Sequence, residues 1–151
     1  MYSNEDLAAL AVELIAAGSH FTRAAYQASG MELSNVSMRA LAALEREPGL
    51  RIGELAAREG IRQPSMSQAM KRLVDDGYAA RHTADDDARA TALTITDAGR
   101  EVLRSYRAAA AEAVAPVFEA LMPEDVATLK RAAELLPELT AELKQRKGGR
   151  E

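Results

Sequence analysis

The segment from Gln63 to Arg72 combines small hydrogen-bonding side chains with two cations and contains no acidic residue. Amide and hydroxyl side chains bond to base edges in the major groove of duplex DNA, and lysine and arginine neutralise phosphates. The chain as a whole is acidic, with 19 Lys+Arg against 23 Asp+Glu and a formal net charge of −4. The local exclusion of acids therefore favours contact with a polyanion. The candidate contacts are Gln63, Ser65, Ser67, Gln68, Lys71 and Arg72.

A further cation, Arg89, follows the run Asp85-Asp86-Asp87. Tyr78 to Thr83 and Thr91 to Thr96 are rich in β-branched residues and predict two strands, with a turn from Ala84 to Ala90. An arginine on the turn of such a hairpin can reach the narrow, electronegative minor groove. The three aspartates would repel phosphate unless they turn away or pair with a cation.

Helices are predicted on both sides of this hairpin. Four precede it: one over residues 4–29, one that Ser34 or Ser37 caps and that stops at Glu47, a short one that Gly60 ends, and one with Pro64 in its first turn that ends at Gly77. Two follow it, starting at Thr96 or Asp97 and at Pro123. Pro116 and Pro137 are expected to kink or interrupt these last two helices.

This order predicts a mainly α protein built around a winged helix-turn-helix with a two-stranded wing. Residues 34–96 form the predicted winged domain, flanked by a dimerisation helix over 1–33 and by dimerisation helices over 97–151. The outer helices are rich in alanine and carry apolar stripes that lack a partner in so short a chain. A striped helix of this kind usually buries its apolar face in a second subunit, so we expect a homodimer.

Several classes of function are excluded by composition. The chain has no cysteine and two histidines, His20 and His82, on different predicted elements, so we expect no metal site, no cofactor and no thiol chemistry. No base lies near Ser65 or Ser67 in the sequence, and we predict no catalytic residue and no enzyme. With no apolar run of membrane-spanning length and acidic residues at Glu5 and Asp6, we expect a cytoplasmic protein with no membrane partner.

Three stretches closely resemble the MarR family of bacterial transcription regulators: Leu55 to Gln68, Leu73 to Arg81, and Asp87 to Arg100. The last is similar to that family's wing sequence, Asp-x-Arg followed by a strand and a Thr–Gly helix start. The resemblance is specific from about Leu41 to Leu103, and outside that range helix lengths and order agree.

The resemblance implies roles for particular positions. Ser65, Ser67, Gln68 and Arg72 fall where the family contacts bases and phosphates, Arg89 falls on the wing arginine that enters the minor groove, and Asp87 braces it. The first and the last two helices would form the dimer interface. The chain departs from the family pattern at Arg62, Ala88 and Gln68, which affects the affinity and the sequence recognised and leaves the mode of binding unchanged.

Members of this family often release DNA when a small anionic aromatic or similar compound binds between the dimer helices and the winged domain. The resemblance therefore implies an effector pocket. Its candidate residues are His20, Arg23 and Tyr26 on the first helix with Met38 and Arg39 on the second. The alternative is that these residues belong to an interface or to ordinary surface.

The sequence thus predicts a homodimeric transcriptional regulator that binds a pseudo-palindromic operator in double-stranded DNA, most often as a repressor. Exposed helix faces that carry Ser, Gln, Lys and Arg are also ordinary solvated surface. The alternative function is therefore a winged-helix protein-interaction module without sequence-specific DNA binding, which would not need cations on both the fourth helix and the wing.

Arg89→Ala tests the predicted wing contact. If the guanidinium enters the minor groove, the variant should bind every duplex more weakly or lose its preference at an A·T flank. It should also lower the slope of log affinity against log salt by roughly one. Electrophoretic or fluorescence binding titrations at several salt concentrations measure both quantities, and unchanged binding would show that the wing assignment is wrong.

Overall fold

The computed structural model describes residues 1–84 and 87–148, and for residues 87–89, 147 and 148 it describes the backbone alone. Six helices and two strands follow one another along this part of the chain: α1 Asn4–Ala28, α2 Asn35–Arg46, α3 Ile52–Glu59, α4 Gln63–Asp75, β1 Ala79–Ala84, β2 Asp87–Ile95, α5 Asp97–Glu119 and α6 Pro123–Gly148. The predicted fold class, a mainly α winged helix-turn-helix, is confirmed.

Local hydrogen bonds set the helix ends close to where the sequence places them. The Ser34 hydroxyl caps α2 by accepting the backbone N–H of Ser37 at 3.1 Å. Gly60 ends α3 in the left-handed conformation, with φ 62°, and the N–H of Ile61 then donates to the carbonyl of Ala56 at 3.0 Å. Only glycine enters this backbone region at little cost, so the turn between α3 and α4 is encoded locally.

The hairpin, which we call the wing, has a shorter turn than the sequence predicts. β1 and β2 pair antiparallel from Ala79↔Ile95 to Ala84↔Asp87, with a register shift between Thr83 and Ala84. The predicted turn from Ala84 to Ala90 is therefore wrong, since β2 already begins at Asp87. Ladder hydrogen bonds use the backbone alone, so polar residues in an exposed hairpin do not stop the pairing.

One core holds α2, α3, α4, the wing and the start of α5 together. Leu50 extends the sheet beside β2, because Gly49 N–H donates to the Leu93 carbonyl at 2.8 Å and Leu93 N–H to the Leu50 carbonyl at 3.0 Å. The largest side chains that are fully buried come from all of these elements: Leu41, Leu44, Leu55, Met66, Met70, Leu73, Leu93 and Leu103.

Thr96 and Gly99 join the wing to α5. The Thr96 hydroxyl donates to the Gly77 carbonyl at 2.7 Å and accepts the Gly99 N–H at 3.1 Å, so it also caps the helix. A methyl group built on Gly99 would overlap the backbone carbonyl oxygen of Tyr78 and lie 2.9 Å from Cγ1 of Ile95. The Thr–Gly helix start that the sequence shows is therefore a close backbone contact between α5 and Tyr78, the residue before β1.

The outer helices leave apolar side chains in contact with solvent. The chain divides into two compact units, Met1–Ala113 and Val114–Glu151. In the first unit α1 contains no buried residue and exposes Leu7, Leu10, Val12, Leu14, Ile15 and Phe21. In the second unit α6 exposes Val126, Leu129, Leu136, Leu139 and Leu143.

The two prolines do not interrupt their helices. Both α5 and α6 continue through Pro116 and Pro137, so the prediction of an interruption at these residues is wrong. Proline removes one helical hydrogen bond, and both prolines are exposed, so water can bond to the carbonyl that loses its partner. None of the helices in the described part of the chain combines the length and apolar character needed to cross a membrane.

Gly99→Ala should destabilise the fold through the clash with Tyr78. We expect a loss of about 3 kcal/mol in the free energy of unfolding, at the upper end for overpacking, because the obstacle is backbone. Gly53→Ala is the matched control. Its new methyl would lie 3.7 Å from Gln63 Oε1, an ordinary contact, and alanine favours a helix over glycine by up to about 1 kcal/mol. Urea unfolding followed by circular dichroism compares the two, and equal stabilities would contradict the assigned contact.

Candidate nucleic-acid interface

Helix α4 starts without a side chain to cap its first backbone N–H groups. The N-cap residue, Arg62, has an extended backbone and makes no side-chain capping bond, and Pro64 follows in the first turn. A helix N-terminus carries partial positive charge and favours an anion nearby. With Arg62 at this position, these N–H groups are left to be satisfied from outside α4.

Burial divides α4 into an inner and an outer face. Met66, Ala69, Met70 and Leu73 are buried in the core. Of the six predicted contacts on this helix, Ser67 is half-buried. The other five are exposed: Gln63, Ser65, Gln68, Lys71 and Arg72. The outer face of α4 is therefore polar and accessible at most of the positions that the sequence predicts to contact DNA.

Four of these side chains share one groove. A cavity of about 600 Å³ is lined by Ser34, Val36 and Ser37 at the start of α2 and, from α4, by Ser65, Gln68, Ala69, Lys71, Arg72, Asp75 and Asp76. Gln63 and Ser67 do not line it. Gln63 lies instead beside the start of α3, where its Oε1 is 3.7 Å from the position that a Cβ on Gly53 would take.

Two carboxylates, which the sequence analysis did not name, reduce the positive charge of this groove. Lys71 Nζ lies 2.6 Å from Asp75 Oδ2, and Arg72 Nε lies 3.6 Å from Asp76 Oδ2. The spacing of four residues on a helix could have predicted both pairs. Exposed pairs of this type contribute about 0.3–0.5 kcal/mol each, so a phosphate can compete for either cation.

Arg72 also lies near the connection between α1 and α2. It lines a second cavity, of about 530 Å³, with Gly30 to Leu33, Asp76, Tyr78 and Val102. Burial raises the pKa of the Tyr26 hydroxyl above its ordinary value, Tyr106 adds to the rise, and the positive charge of Arg72 opposes it. Arg72 thus lies beside both the groove and the connection between α1 and α2.

The side chains of the predicted wing contacts lie outside the described part of the structure. Asp85 and Asp86 lie outside the described residues, and so do the side chains of Asp87 and Arg89. Asp87 as the brace and Arg89 as the minor-groove contact stay predictions.

The predicted effector residues are only partly brought together. A cleft of about 510 Å³ is lined by Ser19, Thr22, Arg23, Asn35, Arg39 and Tyr106, which include two of the five candidates and no carboxylate. His20 is exposed on α1, and Met38 is buried in the core. Tyr26 donates its hydroxyl to the carbonyl of Leu33, and its ring packs 6.0 Å from that of Tyr106.

Comparison with known proteins decides the family. The sequence model of the MarR family matches residues 29–90. An HTH-type transcriptional regulator of Mycobacterium leprae is 32% identical over 114 residues, which cover 76% of this chain and 78% of that one. The chain belongs to the MarR family. This family consists of transcriptional regulators rather than enzymes.

Solved structures agree with this MarR-family fold. A transcriptional regulator from Pseudomonas aeruginosa is 27% identical, has a TM-score of 0.72, and is matched over 93% of this chain and 98% of that one. A variant of S. aureus MepR bound to an oligodeoxyribonucleotide has 16% identity and a TM-score of 0.59, over 86% and 97% of the two chains, and shows the shared fold. The MarR-family chain is therefore a transcriptional regulator with a DNA-binding fold.

Asp75→Asn should strengthen DNA binding by the MarR-family chain. Removing this carboxylate releases Lys71 and relieves repulsion from phosphate, and one such charge at about 8 Å in water contributes roughly 0.5 kcal/mol, or about twofold in affinity. Higher salt should shrink the gain.

Glu101→Gln is the matched control, because Glu101 is an exposed carboxylate with an intrahelical partner, Arg104, on α5. The same charge change there should leave the affinity unaltered in fluorescence anisotropy titrations. A gain of equal size in both variants would mean that Asp75 acts only through net charge.

Proposed function

We propose that this MarR-family chain is a repressor that binds a pseudo-palindromic operator as a homodimer, with α4 in the major groove. The observation that carries the proposal is the shared groove between α2 and α4, where Ser65, Gln68, Lys71 and Arg72 stand together on an exposed face. This combination of hydrogen-bonding and cationic side chains supports recognition of bases and phosphates at one place.

Each side chain then has a role that its chemistry suits. Gln68 and Gln63 can form paired hydrogen bonds with the N6 and N7 edge of adenine, and serine hydroxyls bond to several bases. Lys71 and Arg72 exchange Asp75 and Asp76 for backbone phosphates. Arg89, braced by Asp87, would extend the contact into the minor groove.

Dimerisation is supported by the apolar side chains that each unit leaves exposed. Leu10, Leu14 and Phe21 on α1 are 56%, 44% and 49% exposed. Burying such residues against a second copy removes apolar surface from water at about 25 cal/mol per Å². A two-fold symmetric pair would present two α4 helices to half-sites one helical turn apart. A regulator of this kind would act in the cytoplasm.

An effector that releases DNA is part of the proposal. The cleft between α1, α2 and α5 contains Arg23 and Arg39 with the ring of Tyr106, so it suits a small anionic or aromatic ligand. Such a ligand lowers DNA affinity only if it binds the DNA-incompetent state better than the competent one.

Selection of duplexes from a randomised library by the purified protein, at moderate salt, tests the proposal. We expect enrichment of an inverted repeat with half-site centres about 10 bp apart, which reports DNA binding and two-fold symmetry together. Gln68→Ala should lose the preference at one half-site position, at a cost of about 1–3 kcal/mol. Gln27→Ala, the same change at an exposed position of α1, should select the wild-type sequence.

An outcome in which no sequence is enriched and only weak, uniform binding occurs at low salt would reject the proposal. It would instead favour a winged-helix module with a protein partner. A uniform loss of affinity in Gln68→Ala would count against direct base contact by that residue.

A further inference from the structure

Glu59 is held between two arginines of α2. Its Oε2 lies 3.3 Å from Arg39 Nε, and its Oε1 lies 3.2 Å from Arg46 Nη2. Arg39 Nη2 also donates to the backbone carbonyl oxygen of Glu59. The Glu59 side chain is 11% exposed, so these bonds form in a partly desolvated place where they are stronger than at the open surface.

Glu59 lies directly before the turn that leads into α4, so its contacts bear on the position of that helix. Glu59 is the last residue of α3, and the left-handed Gly60 follows at once. The chain then passes through Ile61 and Arg62 into α4, which starts at Gln63. Because the turn is short and fixed by hydrogen bonds, whatever holds the carbonyl and carboxylate of Glu59 also sets where α4 begins.

Arg39 also lines the cleft between α1, α2 and α5 that is proposed to bind the effector. It lines that cleft with Arg23, and no carboxylate is among the six lining residues. Its Nε and Nη2, which form one edge of the guanidinium, bond to Glu59, so an anion that pairs with this edge must take it from Glu59. An anion in the cleft therefore meets the same guanidinium that holds the end of α3.

We propose that Arg39 is a shared partner, which holds either Glu59 or an anion in the cleft, and that this exchange transmits occupancy of the cleft to the start of α4. The proposal rests on the proposed DNA-binding function and specifies how that function is regulated. Glu59 and Arg46 are positioning residues in this scheme, since neither lines the cleft.

Arg46 makes the exchange feasible. A carboxylate that loses its only partner in a partly buried site is strongly destabilising. When Arg39 binds the anion, Glu59 still pairs with Arg46 through Oε1, so its carboxylate is not left without a partner. Linkage requires that the competition work in both directions, so any change that weakens the hold of Glu59 on Arg39 must tighten anion binding.

Two variants outside the cleft should change its affinity in opposite directions. Glu59→Gln releases Arg39 and should tighten the binding of benzoate, a simple aromatic anion, by about two- to tenfold. Arg46→Gln leaves Arg39 as the main partner of Glu59 and should weaken benzoate binding by a similar factor. Isothermal titration calorimetry measures both, with neutral benzamide as the ligand control.

Glu47→Gln is the protein control. Glu47 pairs with Arg58 and has no bond to Arg39, so its loss should leave benzoate affinity unchanged. Thermal unfolding by circular dichroism establishes that each variant is folded. If Glu59→Gln does not fold, Arg46→Gln tests the exchange without it.

DNA affinity supplies the second readout. Benzoate should lower the affinity of the wild type for its selected duplex by at least about fivefold, and this factor should shrink in Glu59→Gln. The absence of any DNA binding by the wild type would reject the proposed function, while the benzoate affinities would still test the exchange. If benzoate does not bind, or binds both variants as it binds the wild type, the exchange is wrong.

Discussion

Burial of Met66, Met70 and Leu73 fixes which face of α4 is turned outward, and the candidate interface depends on that choice. All three side chains have no solvent exposure, and they pack in one core with Leu41 and Leu44 of α2 and with Leu55, Leu93 and Leu103. A helix rotated by a single residue would expose a methionine and bury a glutamine. Each such exchange would cost several kcal/mol, because the core is close-packed and a buried amide needs partners. The outward face is thus a consequence of the core.

Local charge matters more than net charge for this interface. The chain carries a net charge of −4, and yet α4 has no acid before Asp75. Asp75 and Asp76 close the helix and pair with Lys71 and Arg72. Acids at the edge of a basic groove reduce affinity for any duplex, and recognition then relies more on hydrogen bonds to particular bases. In a regulator, weaker non-specific binding leaves more of the protein for its operator.

Polar contacts of α2 connect three parts of the first unit. Its N-terminus lines the groove with α4. Arg39 lines the cleft and bonds to Glu59, and Arg46, two turns further along the helix, pairs with Glu59 as well. In the same unit, α1 leaves its apolar side chains exposed. Under the proposed function, packing of α1 in a dimer and binding of a ligand in the cleft would both act on α2, and through α2 on α4.

The order and the ends of most elements could be predicted from the residues alone, because the interactions that bound them are local. Ser34 and Ser37 are three residues apart, as are Thr96 and Gly99, and Gly60 needs only its own backbone freedom to end α3. The amphipathic spacing of α4 likewise predicted its polar face, and the quoted stretches predicted the family. The sequence predicts too long a turn in the wing, because the length of that turn depends on ladder hydrogen bonds between the two strands.

Contacts between residues far apart in the chain depend on how the helices pack. Arg39 and Arg46 are 20 and 13 residues from Glu59, and no periodicity in the sequence pairs positions so far apart. The same holds for the cleft between α1, α2 and α5. Of the five residues predicted to line it, Arg23 and Arg39 do so, and Met38 is buried in the core. Such contacts follow from how whole helices pack, because a side chain's neighbours across a core depend on the orientation of every element that lines it.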